Sequence, residues 1–373
     1  MSLSTIAAIF AADAIYTIGF VGVSKPDYWL DQAFLSRKDN VADSELGFVR
    51  KPGISWSGNP MEREAPALML QNRAYEDDRL VHYRTSENGF RNAPGIRRAD
   101  IVFIGDSYTE AAQVSEEDTF VQRVGAASGH QAVNLGRGAY GPQQELIVLQ
   151  RYGLAYQPRF VVWQLFDGND LSDARNFARW KENPARHTTL FKYRYLENSL
   201  ITRLVSPTAR LDPGAPTAKL RYHDGAVRPL YLRYGYVPDQ SVQNPVGLAE
   251  TQRAIETGYR LCESRGVHLL VVFIPTMLRV LEPFITFDRM TDRDRYLPAG
   301  RAENDFGSKM ADFCARLGCS YIDTFAALRS KALVDNRHVY FPSDEHLGIQ
   351  GHEVVAQAVL TWMSSQTANK SSR

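Results

Sequence analysis

The sequence predicts a three-layer α/β/α sandwich built on a five-stranded, mainly parallel sheet, with an insertion after the third strand. Three observations predict it. Short apolar, β-favouring runs recur at residues 101–105, 132–135, 160–166, 268–274 and 320–322. Helix-like segments with capping residues separate them, and strand and helix alternate along the chain. Such alternation calls for parallel strands joined by right-handed crossovers, with helices on both faces of the sheet.

The elements follow in order. Residues 1–30 open with the nearly uninterrupted apolar run Thr5–Val23, close to the ~20 residues of a membrane-spanning helix. Asp13 sits in its middle and no Lys or Arg precedes it. Export or anchoring of the chain is the expectation, set against an amphipathic helix packed on the domain. Residues 31–100 form an N-terminal extension of short extended segments. Turns at Lys51-Pro52-Gly53, Gly58-Asn59-Pro60 and Asn88-Gly89 punctuate it.

The main domain is expected over residues 101–366. Behind the first strand, Ser115 followed by Glu116, Glu117 and Asp118 reads as an N-cap with an acidic first turn, opening a helix that ends near Gly129. A second helix opens at Pro142 and Gln143. Residues 171–246, rich in Arg, Tyr and Pro without a sustained period, read as the insertion. Helices are expected from Leu248 to about Gly266, from about Ala302 to Leu317 and from about Gly351 to Met363. Residues 367–373 are a polar tail.

Charge and cysteine content narrow the function. Forty-three Lys and Arg against 42 Asp and Glu give a net charge of +1, so no general electrostatic case exists for a nucleic-acid partner. Cys262, Cys314 and Cys319 match neither a disulfide scaffold nor a zinc spacing and read as small buried residues. His352, six residues after His346, reads as a packed or surface histidine rather than a metal ligand.

The chemistry is concentrated at strand ends. Ile101-Val102-Phe103-Ile104 runs into Gly105-Asp106-Ser107, so a serine hydroxyl is presented at the carboxyl end of a buried strand, where open α/β sheets bind ligands. Serine is a weak nucleophile at neutral pH and needs a base with an orienting partner. Phe341-Pro342-Ser343-Asp344-Glu345-His346 offers both, with Asp344 able to hold the His346 tautomer that accepts the Ser107 proton. Donors for an oxyanion are available in Asn134-Leu135-Gly136-Arg137-Gly138-Ala139-Tyr140-Gly141 and in Phe166-Asp167-Gly168-Asn169-Asp170.

These four blocks, in this order, resemble those of the SGNH, or GDSL-type, hydrolase superfamily. The resemblance covers residues 100–365 apart from the insertion. It implies Ser107 as nucleophile, His346 as general base and Asp344 as its orienter. The oxyanion hole it implies comprises the Ser107 amide, an amide of the second block and the Asn169 side chain. Ala139 stands where the family usually has glycine, with Gly138 one residue early, and Gly348 stands where asparagine often follows the histidine. The segments 43–48, 51–53 and 88–91 are similar to the N-terminal extension of bacterial, exported or membrane-anchored members. The resemblance implies a serine esterase acting on an acylated small molecule or glycan, without metal or organic cofactor. An O-acyltransferase using the same site and a non-catalytic glycan-binding protein are the alternatives. In the insertion, Tyr193, Tyr195, Tyr222, Tyr231, Tyr234 and Tyr236, with Arg194, Arg221, Arg228 and Arg233, read as packing residues or as a wall for substrate.

Overall fold

A computed structural model describes residues 39–59, 80–182, 218–230, 241–288, 305–341 and 345–371, with Pro238, Ser4, Ala8, Ile9 and residues 11–13. Contacts group the chain into two units, residues 1–50 with 178–214 and residues 51–177 with 215–373. In the first unit, β1 (Asn40–Asp43) and β2 (Gly47–Arg50) form an antiparallel hairpin. Its turn is held by Asp43 Oδ1, which accepts from the Glu45 and Leu46 amides, each at 2.9 Å. Most of Thr5–Val23 lies outside the described residues, although Asp13 is buried. Among the described residues no helix is long and apolar enough to cross a membrane.

The second unit begins with β3 (Ser55–Gly58) and β4 (Val81–Arg84), an antiparallel pair. Next come β5 (Ile101–Ile104), the four-residue helix α1 (Ser107–Glu110), α2 (Phe120–Ser128), β6 (Ala132–Asn134), α3 (Pro142–Arg151) and β7 (Phe160–Phe166). The expected helix at Ser115 divides in two. Ser115 precedes a 3-10 turn, Glu116–Asp118, without a side-chain cap bond, and Thr119 caps α2 by accepting from the Gln122 amide at 3.2 Å.

The expected insertion starts as a helix, α4 (Asp170–Glu182), followed by the hairpin strands β8 (Ala218–Arg221) and β9 (Val227–Leu230). Tyr222 and Arg228 are buried packing residues. Tyr193, Arg194, Tyr195, Tyr231, Arg233, Tyr234 and Tyr236 lie outside the described residues. Then come α5 (Pro245–Glu263), β10 (His268–Ile274), α6 (Met277–Leu281), β11 (Ile285–Phe287), α7 (Phe306–Leu317), β12 (Ser320–Asp323), α8 (Phe325–Val334) and α9 (Ile349–Ser371). The last helix runs to Ser371, into the segment expected as a polar tail.

The five-stranded sheet has the order β12-β10-β7-β5-β6 and is parallel throughout. Taken in chain order the strands are arranged 2-1-3-4-5, the doubly wound pattern that reverses direction between its first and third strands. β5 and β7 are buried along their whole length, as strands covered on both faces must be. One face carries Ile101, Phe103, Phe160 and Val162 against Phe120 and Val124 of α2, Leu328 of α8 and Val355 and Val359 of α9. On the other face Gly258 of α5 lies so close to Trp163 that a Cβ would come within 2.3 Å of its ring. Each fully buried Val, Leu, Ile or Phe on these strands contributes roughly 1.5–3 kcal/mol. The switch point of this order lies between β5 and β7, at whose carboxyl ends sheets of this kind bind ligands.

Candidate active site

Ser107 emerges at the carboxyl end of β5, at the switch point. Gly105 makes the exit from β5 possible, because a Cβ there would lie 2.4 Å from Thr109 Oγ1 and 2.5 Å from Gln164 Oε1. Asp106 caps α1 by accepting from the Tyr108 amide at 2.9 Å, which leaves Ser107 partly exposed at the first helical position. Burial pushes the Asp106 carboxyl up to about 6, while the Tyr108 amide and the nearby His346 favour its charge.

His346 arrives from the far end of the chain. Its Nε2 lies 2.8 Å from Ser107 Oγ, which is hydrogen-bond contact. The loop that carries it is pinned at several points. The Phe341 amide donates to the His346 carbonyl at 2.7 Å, the Glu345 amide donates to the Phe341 carbonyl at 2.8 Å, and Tyr340 bridges Leu347. Tyr340 also donates through its hydroxyl to the Pro275 carbonyl at 2.7 Å, tying the loop to the end of β10. Glu345 adopts φ 66°, a left-handed conformation unusual for a side-chain-bearing residue.

Tyr108, next to the nucleophile, braces this loop. Its hydroxyl donates to the Glu345 carbonyl at 2.9 Å, and its ring lies 4.9 Å from the His346 ring and 4.0 Å from Phe166. At the other imidazole nitrogen, Gln113 Nε2 lies 3.2 Å from His346 Nδ1. Asp344, expected to orient His346, lies outside the described residues. Gly348 answers to packing, since a Cβ at that position would meet the His338 carbonyl oxygen at 2.2 Å.

The second block folds against the nucleophile. Asn134 Oδ1 accepts from the Gly136 amide at 2.9 Å, and Asn134 Nδ2 donates to the Thr109 carbonyl at 2.6 Å. A Cβ on Gly138 would come within 3.4 Å of Ser107 Cβ. The Gly138 amide is occupied, donating to Glu110 Oε2 at 2.7 Å. Glu110 also takes the Arg137 guanidinium at 2.9 Å and the Tyr83 hydroxyl at 2.6 Å. Ala139 is partly exposed at φ 66°, and its amide makes no hydrogen bond among the described residues.

Asn169 sits at the end of β7, on the strand next to β5. One hydrogen of its side-chain amide goes to Asp173 Oδ2 at 3.0 Å. A primary amide has a second hydrogen, which that contact leaves for another acceptor. Asp170, one residue on, accepts from the Phe166 amide at 2.8 Å. Burial first, then the charges of Glu145 and Asp106, raise its pKa well above the usual carboxylate range.

The site also depends on residues with no obvious motif. Arg91 is fully buried and gives its guanidinium to the carbonyls of Glu110, Ala111, Val114 and His82. Asn92 pairs with the Asn134 backbone in both directions, at 2.7 and 2.8 Å. These bonds sew the end of the N-terminal extension to the nucleophile turn and to the second block. In the sequence, Arg91 was marked only as part of the Asn88-Gly89-Phe90-Arg91 stretch of the N-terminal extension. Among the described residues no cluster of His, Cys, Asp or Glu suits a metal ion. His352 is buried beside Phe120, whose amide donates to its Nδ1 at 3.3 Å, and the three cysteines are buried.

The Gly-Asp-Ser turn thus stands at the switch point of a parallel sheet, with a histidine from a late loop on the serine oxygen. No family model matches the chain, and no curated protein matches its sequence. Solved structures similar to it include a lipase/acylhydrolase from Enterococcus faecalis, at 14% identity and TM-score 0.37, covering 71% of this chain and 95% of that one. A GDSL-like lipase from Bacteroides thetaiotaomicron matches at 11% identity and TM-score 0.36, covering 73% of this chain and 89% of that one. An acetylxylan esterase from Geobacillus stearothermophilus, a catalytic mutant, matches at 14% and 0.36, covering 70% and 92%. Likeness at this level carries no weight for activity or substrate, which rest on this chain's own residues.

Proposed function

We propose that this protein is a serine esterase of SGNH type that hydrolyses an O-acyl ester through an acyl-serine intermediate. The 2.8 Å contact between His346 Nε2 and Ser107 Oγ carries the reading. In it, Ser107 Oγ attacks the ester carbonyl as His346 Nε2 takes its proton. The tetrahedral oxyanion is met by the Ser107 and Ala139 amides and the second hydrogen of the Asn169 amide. His346 then returns the proton to the leaving alkoxide, and water repeats the sequence on the acyl-serine. Asp344 orients His346. An acylated glycan of the cell envelope is the proposed substrate, by analogy with similar N-terminal extensions. The chain is proposed to act outside the cytoplasm, on the strength of the apolar run Thr5–Val23.

The test of the reaction is labelling and turnover. Wild-type protein is expected to react with an alkyl fluorophosphonate at Ser107 and to hydrolyse p-nitrophenyl acetate. Ser107→Ala and His346→Ala are each expected to lower turnover by several orders of magnitude while remaining folded. Wild-type turnover in Ser107→Ala would remove the assignment. Acylated glycan formed without free acid would identify a transferase instead. For localisation, a reporter fused after Asp43 that is active only outside the cytoplasm should report export. Activity of a cytoplasm-only reporter at that junction would overturn the proposal.

A further inference from the structure

We propose that Cys314 and Cys319 are a site of disulfide formation, a covalent link between the end of α7 and the start of β12. The inference stands apart from the esterase reading and goes beyond it. Its ground is the backbone turn that joins the two residues. Gly318 closes α7 in the left-handed region at φ 82°, and its amide donates to the Ala315 carbonyl at 3.3 Å. The Cys319 amide reaches back to the Cys314 carbonyl at 2.9 Å. This pair of bonds is the common ending of a helix on a left-handed glycine, in which the side chains at the positions of Cys314 and Cys319 meet. Even when collinear, one N–Cα bond and one span from carbonyl oxygen to Cα, added to that contact, keep the two Cα atoms within about 6.8 Å. Disulfides bridge Cα atoms ~4.4–6.8 Å apart.

Both side chains are buried, and each thiol acts on the other. The Cys319 thiol holds Cys314 below the ordinary thiol range, and the Cys314 thiol, with burial, pushes Cys319 up. Cys319 also donates to the Ser320 carbonyl at 3.6 Å, a weak bond that oxidation gives up. A cavity lined by Gly318 and Ser320, the residues on either side of Cys319, gives an oxidant its approach. With oxidised glutathione as the oxidant, Cys319 Sγ bonds to one glutathione sulfur and the other leaves as a thiolate. Cys314 Sγ then attacks Cys319 Sγ and releases the second glutathione thiolate. The two cysteine protons pass to the two glutathione sulfurs. The cysteine pair is thus oxidised by two electrons and the glutathione disulfide is reduced by two. Cells oxidise such pairs outside the reducing cytosol, in the kind of compartment to which the chain is proposed to be exported. Cys262 lies on α5, outside this turn, and is the third thiol against which the pair is scored.

The test uses the full folded chain at about pH 8, near thiol titration. Reduced protein is held overnight in excess oxidised glutathione, trapped with N-ethylmaleimide in denaturant, and digested with trypsin, which cuts after Arg316 between the two cysteines. A single maleimide, on Cys262, is expected. The peptides Met310–Arg316 and Leu317–Arg329 should appear joined, two hydrogens lighter than their sum. Dithiothreitol before trapping should separate them and free all three thiols. Oxidised protein should also melt several degrees above reduced protein, because a closed loop restricts the unfolded chain. Three maleimides after glutathione treatment, glutathione left on one cysteine without a bridge, or a bridge to Cys262 overturns the site. Equal melting temperatures overturn its bracing role. Every readout is made on wild-type protein and none measures esterase activity, so the outcome is independent of whether Ser107 reacts.

Discussion

Ala139 holds an L residue in the left-handed region, at φ 66°, where a Cβ costs roughly 1–2 kcal/mol. Glycine is common at such positions for that reason, and the alanine here keeps the same backbone donor. Ala139→Gly is therefore expected to retain most activity with a Tm at or above wild type. Ala139→Val, whose β-branch is poorly tolerated in that region, should lower Tm and kcat together. Melts and p-nitrophenyl acetate kinetics check both, and a folded Ala139→Gly without activity would count against an amide role. Proline is no substitute for either variant, since its φ near −65° cannot follow the turn. The glycine at 138, an alternative donor by sequence, has its amide committed to Glu110. Ser107 and His346, which the structure brings into contact, were legible because each stands in a compact motif at a strand end or late loop. Gln113 and Tyr108 were not, because their partners lie 233 and 237 residues away and nothing local marks the pairing.

The strands were legible at the scale of elements because runs buried on both faces must be continuously apolar. Helix starts were less so. Ser115 and Thr119 are both good capping residues, and the backbone uses the second for α2. α4 was hidden because its buried face mixes Leu171, Ala174 and Phe177 with Asp170, Ser172 and Asp173, which blurs the apolar period. The joint between α2 and α9 carries a pH prediction. Burial, with smaller contributions from Arg91, Arg123 and His346, pushes His352 down to about 3. The unfolded chain takes up a proton near pH 6.5, while the folded one does not. The stabilisation is thus complete above about pH 6.5 and declines below it by about 1.4 kcal/mol per pH unit. Asp106 and Asp167, pushed up to about 6 by burial, run the opposite way. Their stabilisation is complete below the unfolded value and is lost as pH rises towards 6. Comparing wild type with His352→Gln by denaturant titration at several pH values isolates the histidine, and identical slopes would refute the assignment.

At the scale of the whole molecule, the order of the strands was not legible, because alternation fixes parallel pairing but not which strand lies beside which. The observed order puts the ends of β5 and β7 together, with Glu145 and Asp170 buried near them. Glu145 accepts from the Trp163 indole at 2.7 Å. Each has one oxygen without a hydrogen bond among the described residues. Burial, then neighbouring acidic charges, raise both well above the usual carboxylate range. Such groups stabilise fully below their unfolded pKa and lose that contribution as pH rises through the folded value. Glu145→Gln, which can still accept from the indole, should therefore gain Tm relative to wild type as pH is raised. A Tm difference independent of pH would contradict this.

The pairing of Ser107 with His346 spans 239 residues of chain. At roughly 5–20 residues per second on the ribosome, the serine leads its histidine by about 12–48 s. For that interval a growing chain carries a hydroxyl with no base to activate it, so chains stalled before the late loop should be inert to fluorophosphonate. On the proposed reading, reactivity at Ser107 is acquired only once the loop that carries His346 has been made and has folded onto it.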